Sequence, residues 1–245
     1  AAIHSVRAVP ASDLRAVADW ADGRGAPLHV HLSEQRAEND ACQAAHSCTP
    51  AELLHSHGVL GAGCTAVHAT HLSATDIALL GSTATMTCLC PTTERDLADG
   101  IGPALALSIA GSPLALGSDS HAVIDILEEA RAVELDQRLA GQIRGNWSSD
   151  DLLTAATVTG HRSLGWPEAG RIEVGGLADF VTLRLDSVRT AGADSTHALD
   201  AAVFAATAAD ITEVVVAGRL IVEAGRHVLV ADVPAALRTA IANVT

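Results

Sequence analysis

"PLHVHLSEQ", residues 27–35, joins a short apolar run to a polar end. The run over 27–32 is too short for a stable helix and reads as a strand, with two histidines two residues apart. The same texture recurs at "CTAVHAT" (64–70), "TATMTCLCP" (83–91) and "SPLALGSD" (112–119). Amphipathic stretches separate the strands. The spacing predicts helices over 12–25, capped by Ser12, and over 49–58, opened by Thr49 with Pro50 in its first turn. Further helices are predicted over 73–82, 102–111, 121–141 and 148–165. Strands that are apolar almost throughout are buried on both faces, which means a parallel sheet covered by helices.

Two architectures satisfy that order, a barrel of parallel strands and an open doubly wound sheet. The open sheet would carry a glycine-rich phosphate loop after its first strand. None is present. "GVLGAG" (58–63) precedes a strand and reads as a turn. Beyond residue 166 the texture changes. "GRIEVGGLADFVTLRLDS" (170–187) and "ITEVVVAGRLIVEAGRHV" (211–228) are β-branched and punctuated by glycine, and read as hairpins. A short helix with loops lies between them, and the tail "VPAALRTAIANVT" reads as helical. The expected division is a barrel unit over 1–166 and a smaller β-rich unit over 167–245.

Composition narrows the function. Of 245 residues, 49% are hydrophobic, enough for a sizeable core. No apolar run reaches the roughly 18 residues of a membrane span. "AAIHSVRAVP" lacks the apolar stretch of a signal peptide, so a cytoplasmic location is expected. The net charge is −14, and all 15 basic residues are arginine. A nucleic-acid binder would show a basic stripe, and an anionic membrane would be repelled. The five cysteines, with no CxxC, form neither a disulfide framework nor a structural zinc pattern. Cys88 and Cys90 lie two apart in a strand and should point the same way; all five read as small hydrophobes in a reducing compartment.

Each strand delivers polar residues at its carboxyl end: His29, His31 and Glu34; His68 and His71; Thr92, Thr93 and Glu94; Asp119 and His121. In a parallel barrel the active site forms at that face. Imidazoles and a carboxylate converging there suit Zn²⁺ or Fe²⁺. A single histidine at a strand end is more often a hydrogen-bonded core or loop residue, and His46, His55, His57, His161, His197 and His227 are read that way. The ordered set HxHxxE, HAxH and GSDSH, each closing its own strand, is what favours a site.

That ordered set resembles the second half of a metal-dependent amidohydrolase of the aminohydrolase (deaminase) branch. "GRIEVGGLADFVTL" is similar to the return into the small β-sandwich that flanks the barrel in that family. Within the branch, "IHSVRAVP", "HVHLSEQRAE", "VHATH", "CLCPTTERDLADGI" and "LGSDSH" look like the formiminoglutamate iminohydrolases. The resemblance implies the second half of a (β/α)8 barrel, from the end of strand four to strand eight, plus part of the sandwich. Three further strands follow "HVHLSE", the last ending in "GSDSH", and the glutamate at +3 belongs to the family's fifth-strand pattern. His31 is therefore the implied metal ligand, and His29 fills the barrel below it. Asp119 is the second implied ligand, on one divalent ion, zinc or iron.

The resemblance further implies hydrolysis of a formimino C=N. Asp119 takes the water proton, His68 steadies the developing tetrahedral centre, and Glu34 carries protons to the leaving nitrogen. Arg7 and His4 would bind a small dicarboxylate substrate, with Arg95 a lesser candidate at the rim. His71 and His121 are read as supporting groups, and Glu94 and Asp99 as loop-ordering ones. The family implies a homodimer. The first-strand HxH expected of the family is not in this sequence, so the chain alone is expected to be metal-poor and inactive. Two other readings stand beside this one. A sister aminohydrolase would act on a purine, an adenosine derivative or a triazine, although 2% aromatic content and no tyrosine favour an aliphatic substrate. A remnant without activity would lack the HxH altogether.

Overall fold

The computed structural model describes residues 1–119 and 123–244. Five strands form one parallel sheet: β1 (Ala2–Ile3), β2 (Leu28–Leu32), β3 (Cys64–His68), β4 (Met86–Leu89) and β5 (Leu114–Leu116). Their spatial order is their chain order. A doubly wound sheet reverses order at a switch point, and this sheet has no reversal. Leu28, Val30 and Leu32 of β2 are buried beneath the helices. His29 and His31 alternate onto the opposite face and are half-buried. Register aligns His31 with Val67, and Val67 with Cys88, so these three share that face.

The helices that cover the sheet follow local chemistry. α3 (Pro50–Ser56) and α4 (Ala74–Ser82) each begin with a reciprocal capping box, Thr49 with Glu52 and Ser73 with Asp76. α6 (Ala104–Ala110) ends on Gly111 in the left-handed region, φ 99°. α4 and α6 approach so closely that a Cβ on Gly81 would lie 2.1 Å from the Ala110 carbonyl oxygen. The main core packs Ile3, Leu14, Val30, Leu32, Leu54 and Leu80 between helices and sheet.

Several elements depart from the expectations. α1 covers Ala11–Asp22 with Pro10 at its cap and no side-chain cap, so Ser12 lies inside the helix. α2 (Arg36–His46) and α5 (Pro91–Asp96) were not expected. α2 is polar on average and buries Glu38 and Cys42. α7 runs Ile126–Gly141 and starts later than 121, because the Asp125 side chain accepts from the amides of Leu127 and Glu128. The helix expected over 148–165 is α8 (Ser149–Thr154), a π-turn (Ala155–Thr159) and α9 (Gly160–Ser163).

The second sheet is antiparallel, in the order β6 (Phe180–Leu183), β7 (Ile211–Val216), β8 (Arg219–Glu223) and β9 (Arg226–His227). Residues 170–187 do not form a hairpin. Their one strand, β6, pairs with β7 from beyond α10 (Ala198–Phe204). The reading of 211–228 as paired strands and of the tail as helical matches β7–β9 and α11 (Val233–Ala242). Among the described residues no helix is long and apolar enough to cross a membrane.

Candidate active site

The carboxyl ends of β2 and β3 turn sharply. Ser33 (φ 50°), His68 (φ 67°), Ala69 (φ 51°) and Asp119 (φ 43°) all occupy the left-handed region without being glycine. Such conformations are unfavourable for residues with a Cβ and persist where the surroundings impose them. Four of them at the ends of the parallel strands mark the region where side chains are being aimed.

Those side chains meet. The His31 and His68 rings stack with centroids 5.6 Å apart and planes 19° apart. His4, just past β1, stands 5.1 Å from His31 on the other side. The His4 backbone carbonyl lies 2.7 Å from His31 Nδ1, which assigns that nitrogen as the donor and leaves Nε2 as the ring's lone-pair atom. His68 is 1% exposed. Its Nδ1 is 3.3 Å from Glu94 Oε1 and its Nε2 is 3.9 Å from Glu34 Oε1. Burial pushes the His68 imidazole toward neutrality, but the hydrogen bond to Glu94 and the charges of Glu94, Glu34 and Asp119 outweigh it, and the net shift is upward.

Glu34 also receives Arg7: guanidinium Nη2 to Oε2, 3.3 Å. The same guanidinium lies 3.8 Å from the fully buried carboxylate of Glu38, one turn into α2. Burial raises the Glu38 carboxyl, with Arg7 partly offsetting it. Asp99 is buried nearby, its pKa raised by desolvation and then by Glu34.

The structure therefore brings His4, Arg7, His31, Glu34 and His68 together, with Asp119 within electrostatic reach of His68. Asp119 is exposed. His29 lies half-buried on the same face as His31, and its Nε2 is 2.7 Å from the Ser163 carbonyl oxygen. Arg95 is paired with Glu128 of α7 at 3.0 Å. Glu94 does more than order a loop: it accepts from the Cys90 amide at 2.9 Å and bears on His68. Sequence reading missed that link, although Glu four residues after a strand-ending Cys-Pro step is positioned to reach back. His121 lies outside the described residues.

Residues 1–221 match the model of the amidohydrolase family. The chain belongs to the amidohydrolase family. It is 34% identical over 231 residues to formimidoylglutamate deiminase of Pseudomonas aeruginosa, spanning 91% of the chain and 51% of that protein. It is 32% identical to the 5-methylthioadenosine/S-adenosylhomocysteine deaminase of Pelotomaculum thermopropionicum, over 90% of the chain and 51% of that protein. Among solved structures, a zinc-bound adenosine deaminase from Xanthomonas campestris superposes with TM-score 0.89 at 28% identity, over 99% of the chain and 55% of that structure. The chain thus spans about half the length of the curated relatives it matches.

These two relatives are a deiminase and a deaminase by name, and the similar adenosine deaminase structure carries zinc. The donor set here fits a divalent metal in part. His31, with Nδ1 held on a carbonyl, is oriented as metal-binding histidines are, and Asp119 offers a carboxylate. Among the described residues no three His, Cys, Asp or Glu side chains form a cage. A catalytic zinc site takes three protein ligands.

Proposed function

We propose that the chain supplies the second half of a (β/α)8 barrel, within residues 1–166, and part of a β-sandwich, within 167–245, of an enzyme that hydrolyses N-formimino-L-glutamate. The products are N-formyl-L-glutamate and ammonia, a step of histidine breakdown. The unreversed order of the five parallel strands supports the barrel reading. The remaining ligands would come from a first-strand HxH outside this sequence.

The observation that carries the substrate reading is Arg7 at the mouth, touching the same glutamate that faces His68. A guanidinium pairs with a carboxylate in a fixed fork geometry, and a purine ring offers no such partner. Formiminoglutamate carries two carboxylates. His4, stacked beside His31, would lie against the formimino or carboxylate end.

His31 and Asp119 would hold zinc or iron, which when bound makes water nucleophilic at neutral pH. Asp119 accepts a proton from the attacking water. His68, held with raised basicity between carboxylates, directs an N–H at the oxygen that becomes negative. The attacking water gives up both its protons, one through Asp119 and one through Glu34, and Glu34 passes them in turn to the imine nitrogen and to the departing amine, so that the C–N bond breaks as ammonia leaves. Glu94 holds the His68 ring in register for this.

The test is ammonia release from formiminoglutamate by the full-length protein, with His31, Glu34 and Asp119 replaced in turn. Each replacement should abolish turnover. Release from a purine or adenosine derivative, with none from formiminoglutamate, would overturn the assignment.

A further inference from the structure

A carboxylate on α7 is devoted to a single threonine. Glu129 is fully buried. Its Oε2 accepts from the Thr92 amide at 3.0 Å and its Oε1 from the Thr92 hydroxyl at 2.5 Å. Arg95 and Arg131 are both paired with the neighbouring Glu128 instead. Burying a carboxylate with no cation paired to it is costly. Burial accordingly raises the Glu129 carboxyl, against the opposing effect of the Thr92 hydrogen bonds. That cost directs attention to what the contact fixes.

Thr92 lies in the first turn of α5. That helix has 6 residues and no side-chain cap of its own: Cys90 stands at its cap, and Pro91, which has no N–H, follows. The Thr92 amide is then the first free donor of the helix, and Glu129 reaches across from α7 to take it. Two residues on, Glu94 Oε1 accepts from the Cys90 amide at 2.9 Å and faces His68 Nδ1 at 3.3 Å. A helix this short does not hold itself together, so the place of Glu94 depends on what grips the first turn. The support behind that grip is firm. Arg131 of α7 donates to the Val203 carbonyl in α10 at 2.8 Å, and Asp125 at the cap of α7 accepts from the Ala208 amide at 2.8 Å.

We propose that Glu129 is a positioning residue for the reaction: through Thr92 it fixes the first turn of α5, and with it the reach of Glu94 to the His68 ring. Its part in turnover rests on the reading in which His68 steadies the developing negative charge. Its part in holding the ring stands without that reading. Glu129 acts through two other residues and needs no contact with the substrate. Glu128, its neighbour, also joins α7 to α5, but does so through the half-exposed Arg95 and leaves Thr92 alone. The two glutamates therefore separate a specific grip on Glu94 from the general docking of one helix on the other.

The experiment reads the ring first and turnover second. In the whole chain with ¹⁵N-labelled histidine, the His68 ring is assigned by its loss in His68→Gln, and its tautomer is read by long-range ¹⁵N–¹H NMR at a pH where the ring is neutral. The parent should hold the Nδ1–H form, because Glu94 accepts there. Glu129→Leu keeps the bulk and removes both acceptors; the ratio of Nδ1–H to Nε2–H form should fall by about 5-fold, as for the weakening of one hydrogen bond. Thr92→Val removes only the hydroxyl and should move the ratio the same way by less, which decides the matter if Glu129→Leu does not fold. Glu128→Gln should keep the parent ratio. In the full-length protein, the changes that move the ring should lower kcat for formiminoglutamate by ~10-fold or more with KM unaltered, since a small misplacement can cost up to roughly 10²-fold. A parent ratio in Thr92→Val and in any folded Glu129→Leu overturns the proposal. So does an equal shift in Glu128→Gln, or a kcat unaltered where the ring has moved. A full-length protein that does not turn over formiminoglutamate, with the ring still responding to Glu129, would overturn the substrate assignment and leave the grip on Glu94 standing.

Discussion

Arg7 holds Glu34: its guanidinium Nη2 lies 3.3 Å from Glu34 Oε2 while its Nε lies 3.8 Å from the buried Glu38. The proposed substrate-binding cation and the proposed proton carrier are thus partners before any substrate arrives. An incoming carboxylate has to compete with Glu34 for the guanidinium, and that exchange would free Glu34 to face the reacting nitrogen.

Replacing Arg7 should therefore act mainly on substrate binding. In the full-length protein, Arg7→Gln is expected to lower kcat/KM for formiminoglutamate by about 10²-fold, the loss of a charged hydrogen-bonded pair of roughly 2–3 kcal/mol. Arg7→Lys should recover little, since a point charge cannot reproduce the fork. Steady-state ammonia release checks both. An Arg7→Gln variant with unaltered KM would remove Arg7 from the substrate site.

The ring of His68 offers a direct titration. Glu94 is the foremost of the groups raising its pKa against the opposing effect of burial. Glu94→Gln should move the midpoint of His68 downward, read from its imidazole carbon resonance by NMR. Because the folded-state value is raised, the stabilisation from this contact is present in full below the unfolded value. It is lost as pH rises through the folded one. The wild-type chain should show that loss in its melting temperature, and the Glu94→Gln variant should show less of it, with only Glu34 and Asp119 left to raise the ring.

Acid should act on the second sheet through a different group. Asp210 is paired in a fork with Arg189, Nε and Nη2 each at 2.8 Å, and this holds its carboxyl well below the usual carboxylate range. A depressed carboxyl contributes stability above its unfolded pKa and loses it as pH falls through the folded value. Thermal melts of Arg189→Gln should lie below wild type at neutral pH and converge with it in strong acid.

Gly81 tests the contact of α4 with α6. Alanine would favour the helix by roughly 1 kcal/mol. The added methyl would meet the Ala110 carbonyl oxygen at 2.1 Å, backbone against side chain with nowhere to yield. Overpacking of that kind costs about 1–3 kcal/mol or more, so Gly81→Ala should lower the denaturation midpoint despite its better propensity.

The alternation of apolar strands with amphipathic helices was legible because burial on both faces leaves a strand uniformly apolar, whatever its neighbours are. Thr49 announced its helix because a capping box is complete within four residues. HxHxxE placed His31 on the open sheet face and His29 beneath it, since the pleat has a period of two. Tertiary structure decided the rest. Strand β6 lacks its partner within 170–187 and finds it in β7, across α10, so the expected hairpin dissolved. Helix α2 carries the buried Glu38 that lies beside Arg7, a contact between segments distant in sequence. Glu94 reached His68 on another chain segment, a contact made only when β3 and the turn after β4 pack side by side. Local sequence sets which groups are available at a strand end, through short-range hydrogen bonds and burial. Which of those groups meet depends on how distant segments pack, and the left-handed turns at His68 and Asp119 are conformations that persist where the surroundings impose them.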